Sequence, residues 1–168
     1  STAAEEMRPG QLAFVPDATE VLVGGSNGRL HLWNPAAGTP PAPFAAIAQL
    51  EGAGPQPPAI RALSPTRVGG AAVLLDDGRL VRLDAAGTAA GETRLADDIG
   101  RAAAMAPSGA VIVAASQGAR EVNAWRCEGG ECAKTVLAED FARTAAVSAD
   151  GRVAAAAPES AGLIRADL

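Results

Sequence analysis

Large side chains are scarce in this sequence. Aromatics make up 3% of its 168 residues, with two Trp, three Phe and no Tyr. A core without rings must draw its buried area from Ala, Val, Leu and Ile, so it depends on close backbone packing. Histidine occurs once, at His31, mid-strand in "RLHLW". A lone His with no acid or nucleophile in phase gives no catalytic set. Cationic clusters are absent too: 14 Lys and Arg face 19 Asp and Glu, for a net charge of −5. Nothing here could neutralise a run of phosphates, so no nucleic-acid partner is expected, and no Lys or Arg cluster favours an anionic membrane. Apolar runs such as Gly109–Ser116 are far too short to span a bilayer, so no membrane insertion is expected. The first ten residues, "STAAEEMRPG", are polar, show no signal-peptide pattern and do not begin with Met. An earlier segment is therefore expected to precede them.

Motifs that carry chemistry are missing as well. "GGSNG" (Gly24–Gly28) has no following Lys-Ser/Thr and opens no helix, so it cradles no phosphate. No Ser lies in a nucleophile elbow. Asp76-Asp77 and Asp97-Asp98 read as turn formers rather than as paired acid and base. No enzyme, cofactor or metal is expected.

What is present is punctuation. The only two cysteines flank a Gly-Gly turn in "RCEGGECAK". That turn reads as a hairpin, which makes Cys127 and Cys132 cross-strand neighbours within reach of a disulfide. Two ligands are too few for structural zinc, and the spacing is not Cys-x-x-Cys. A bridge implies an extracytoplasmic location, periplasmic or secreted; two reduced thiols on a surface hairpin would fit the cytoplasm.

Self-similarity then organises the whole chain. "SNGRLHLWNPAAGT" (Ser26–Thr39) and "DDGRLVRLDAAGT" (Asp76–Thr88) carry the same pattern. Four units emerge, approximately 1–50, 51–97, 98–139 and 140–168. Each opens on a short apolar strand closed by a turn, continues with a second apolar strand and a polar turn, and adds a third, alternating strand. Arg101 and Arg143 repeat at about 42 residues. Outer fourth strands are expected near Phe44–Leu50, Glu92–Ala96 and Ala133–Ala138. The segment "PAPFAAIAQLEG" could hold a short helix, although its surroundings favour a strand. Turn residues at regular places between short apolar runs predict an all-β chain. A period just above 40 predicts propeller blades, about four of them, four-stranded and antiparallel. The Pro-rich stretches Pro35–Phe44 and Gly52–Pro58 read as stiff surface loop.

The units resemble WD40-type blades. "VSADGRVAAAA" is similar to the turn that follows such a blade's innermost strand, and "GSNGRLHLWN" to the third strand with its closing Trp-Asp pair. That pair is degenerate: Trp33-Asn34, Leu83-Asp84, Trp125-Arg126 and Ala166-Asp167. The family's Gly-His pair is missing, so the buried His-Asp network of its better-conserved members cannot form. The resemblance implies that the innermost strands begin on the face used for docking. Arg101 and Arg143 stand there, with Arg61 two residues out of strict phase; together they could grip a carboxylate or an acidic peptide.

The expected function is a non-catalytic propeller scaffold for protein–protein interaction. Two alternatives stand beside it: an accessory or regulatory segment of a larger multidomain protein, and a periplasmic propeller that binds a small ligand in its central channel. The fourth unit runs out after its third strand, and "STAAEEMR" is a poor strand to complete it. The chain is therefore expected to form half or part of a larger ring, completed by a second copy or by another segment.

Overall fold

In a computed structural model, residues 9–44, 57–66, 69–160 and 162–168 are described. They form four antiparallel sheets. Blade one holds β1 (Pro9–Phe14), β2 (Val21–Gly25), β3 (Leu30–Trp33) and β4 (Ala42–Pro43). Blade two holds β5 (Ile60–Pro65), β6 (Ala71–Leu75), β7 (Arg79–Leu83) and β8 (Ala89–Arg94). Blade three holds β9 (Ala103–Met105), β10 (Val111–Ser116), β11 (Glu121–Glu128) and β12 (Glu131–Ala138). Blade four is three-stranded: β13 (Ala142–Val147), β14 (Val153–Pro158) and β15 (Ile164–Asp167). Each sheet is a meander, with the strands in sequence order. The architecture is the all-β propeller expected from the repeat.

The outer strands start earlier than the sequence suggested. Asp84 Oδ1 accepts from the Ala86 and Thr88 amides at 2.9 and 2.8 Å, a tight turn that lets β8 begin at Ala89. Asn34 Oδ1 likewise accepts from the Ala36 and Ala37 amides, and β4 follows at Ala42. In blades one and two the second residue of the degenerate Trp-Asp pair thus caps the turn to the outer strand. The strand expected at Phe44–Leu50 lies mostly outside the described residues, as does most of "PAPFAAIAQLEG".

Innermost strands touch in succession, β1 against β5, β5 against β9 and β9 against β13. Between successive blades lies a buried cluster. Leu22 and Leu30 meet Ile60, Val73 and Val81. Ala62, Ala72 and Leu74 meet Ile112 and Trp125. Val113 and Ala124 meet Ala154 and Ala156. Second strands β2, β6 and β10 are buried throughout. For β6 and β10 a neighbouring blade covers each face, which explains their unbroken apolar runs. Among the described residues, no buried cluster joins blade four to blade one.

Cys127 and Cys132 face each other across the β11–β12 hairpin, with Cα atoms 4.0 Å apart, and are bonded. A loop this short removes little chain entropy, so reduction should cost only about 2 kcal/mol. Titration of the denatured, unreduced protein should find no free thiol; two thiols per chain would contradict the bridge.

Candidate interaction surface

The three arginines singled out by sequence take equivalent places. Pairing of β5 with β6 slips between Ile60 and Ala62, which makes Arg61 a bulge residue. Pairing of β13 with β14 slips between Ala142 and Thr144, around Arg143. In blade three the Ala115 carbonyl accepts from the Gly100 amide, and the Ala115 amide donates to the Ala102 carbonyl, passing over Arg101. Arg61 is therefore in phase; unequal connections between the blades had hidden it. Their surroundings differ. Arg61 is half-buried, with Nη2 3.4 Å from Asp76 Oδ2. Arg143 is exposed, and its Nε lies 3.9 Å from Glu159 Oε1. Arg101 is exposed.

Beside these bulges runs a network that the sequence reading missed. Asp98 accepts from Ser116 Oγ at 2.5 Å and from the Gly118 amide at 2.7 Å. One period later, Asp140 accepts from the Ser160 hydroxyl at 2.5 Å and from its amide at 2.8 Å. Each carboxylate ties the segment before an innermost strand to the turn after that blade's second strand. The Ser160 hydroxyl and amide, helped by the Phe141 amide and the Arg120 charge, hold Asp140 below the usual carboxylate range. Arg120 also stacks on Phe141, 4.8 Å from the ring centre. The signal was available: Asp98 and Asp140 share the spacing of Arg101 and Arg143.

At the opposite end, residues from the turns after the innermost strands of all four blades line a cavity of about 650 Å³. Pro16, Pro65 and Pro107 line it at corresponding places, with Arg126 and Asp150. Asp150 is occupied within its own turn, accepting from Ser148 Oγ at 2.6 Å and from the Arg152 amide at 3.1 Å.

The outward side of blade one is a third surface. Registers align its rows Phe14–Val21–Trp33 and Leu12–Val23–His31. In blade three the corresponding rows are Met105–Ile112–Trp125 and Ala103–Ala114–Asn123. There Trp125 is 2% exposed, sealed against blade two. In blade one the second-strand members Val21 and Val23 are buried as well, at 5% and 2%, but Leu12 and Phe14 on the inner strand are 64% and 81% exposed. Beside them is an apolar cavity of about 690 Å³, lined by Leu12, Val23, Trp33, Pro35, Pro40 and Pro41. Trp33 Nε1 donates to the Thr39 carbonyl at 3.1 Å, which holds the Pro-rich loop beside the face. His31 lies in the same rows, and neither of its ring nitrogens has a hydrogen-bond partner. Burial, with the Arg29 charge, lowers its pKa. This is the environment of a packed side chain, not of a catalytic base.

Solved structures share this arrangement over nearly the whole chain. One from the mitotic checkpoint complex matches 95% of the chain at 16% identity, with a TM-score of 0.68. The Myceliophteria thermophila Cps50 (Swd1) β-propeller domain matches 97% at 13% identity, also at 0.68. The fold is a β-propeller. A chain of Kuenenia stuttgartiensis hydrazine synthase matches 99% at 13% identity and 0.70, so the same propeller geometry also occurs within an enzyme's structure. No family model and no curated protein matches the sequence. The propeller described here spans about half of each of these chains, 49%, 53% and 48% respectively.

Proposed function

We propose that this propeller is a non-catalytic scaffold that docks protein partners, and that one docking site is the end where the innermost strands begin. The observation that carries this reading is the recurrence of Arg61, Arg101 and Arg143 at the same bulge in three successive blades. A bulge turns its extra side chain away from the ladder, which leaves Arg101 and Arg143 exposed and Arg61 half-buried. They set three guanidinium groups at one end, among the carboxylates Asp76 and Glu159, and each is suited to hold a carboxylate of an acidic segment. The exposed ion pair of Arg143 with Glu159 is a weak competitor. One structural neighbour was solved within a multiprotein assembly, the mitotic checkpoint complex, which supports a docking role. The hairpin disulfide supports an oxidising compartment for it. A channel-ligand site is less well supported, because Asp150, the carboxylate at the axial cavity, is already satisfied.

Titration of a fluorescent Glu/Asp-rich peptide tests the docking site. Binding should weaken as salt rises, and alanine at Arg61, Arg101 and Arg143 together should weaken it at least about tenfold. Absence of binding, or binding unchanged in the triple variant, would overturn it.

A further inference from the structure

The outward face of blade one has the chemistry of a joint between blades, and the joint's other half is present elsewhere in the same molecule. Trp125 of blade three is received by blade two, where Ala72 shares its cluster and stands in the row Ser64–Ala72–Arg82. In the cluster that holds the indole, blade two contributes the small Ala62 and Ala72 from its inner and second strands, beside Leu74 and Leu80. Blade four presents the same row on its outward side: Ala146–Ala155–Arg165, with Thr144–Ala157 beside it. Ala146 and Thr144 are exposed. Blade one thus offers the large side chains Phe14 and Trp33, and blade four the small residues that accept such side chains. Within one chain, no buried cluster joins these two faces among the described residues.

We infer that the blade-four face of one copy receives the blade-one face of a second copy, so that two copies close an eight-bladed ring about a two-fold axis. The two joints are identical by symmetry, and formation of one makes the other intramolecular, which strengthens closure without any new contact. The Leu12 and Phe14 surface, exposed in one copy, is buried in the pair, as apolar patches of this kind require. This inference is independent of the arginine site, which lies at the ends of the strands rather than on the blade faces.

Light scattering during gel filtration reads the outcome as mass. The unmodified chain should run at twice its 16.7 kDa. Leu12→Glu with Phe14→Glu should run as a monomer, and so should Thr144→Glu with Ala146→Glu. All four positions are exposed, so the fold should survive, with unchanged far-ultraviolet circular dichroism. An equimolar mixture of the two variants keeps one intact joint and should recover dimer. A monomeric unmodified chain would overturn the inference. So would a blade-four variant that remains dimeric, because blade one would then be pairing with itself. Either result leaves the peptide titration unaffected, so the two proposals can fail separately.

Discussion

Replacing Trp125 with Ala should cost the protein about 3–5 kcal/mol, the range for removing a fully buried indole from a core that cannot collapse around the gap. The ring is 2% exposed and sits between blades two and three, sharing a cluster with Ala62, Ala72, Leu74, Leu80 and Ile112. Several of its neighbours are alanines, which have no length with which to fill the hole. Urea unfolding should show the loss as a lower midpoint at unchanged slope. The sister substitution Trp33→Ala, on the outward face of blade one, should cost the single chain far less, because that ring is only half-buried and borders an open cavity. Equal losses would mean that the two faces are equally covered, and the distinction between them would fail.

Gly78→Ala should be nearly as damaging, for another reason. Gly78 has φ +85° in the turn between β6 and β7, where a Cβ would lie 1.9 Å from the Ala96 carbonyl oxygen. Its own carbonyl accepts from the Leu95 amide at 2.9 Å. The turn is therefore locked to the segment that leads into blade three, and backbone has to move to admit a methyl group. Strain and displacement together should exceed about 2 kcal/mol. Gly129→Ala separates the two contributions: φ is +59° there, and nothing stands within 4 Å of the added carbon. That variant should lose only the left-handed penalty, about 1 kcal/mol. Thermal unfolding of both variants would check the comparison, and similar losses would show that close approach to Ala96 adds nothing.

The repeat made most of this architecture legible. Short apolar runs and turn residues at a steady period specify a strand meander, because strands buried on both faces need unbroken apolar sequence and tight turns need Gly, Asn or Asp. The disulfide was legible because both cysteines bracket a Gly-Gly turn, and the hairpin leaves them no other neighbours. The equivalence of Arg61 with Arg101 and Arg143 was blurred, since a bulge and unequal connections shift spacing without changing place. By sequence Asp98 reads as a turn former, and nothing local singles out Asp140. Their bonds reach across twenty residues, to Gly118 and to Ser160, and local pattern carries no such distance. Least legible was which blade faces are covered. Leu12 and Phe14 alternate in β1 just as buried core residues do, because the sequence writes the face for its occupant whether or not that occupant lies in the same chain.

The two tryptophans, one sealed and one at the open face, offer the most direct reading of that claim. Acrylamide quenching should be measured on the Leu12→Glu, Phe14→Glu chain, in which association is blocked. One emitting population, Trp33, should be quenched, while the other, Trp125, stays shielded. If both tryptophans resist quenching, blade one is already covered within a single chain, and the uncovered propeller face described here does not exist.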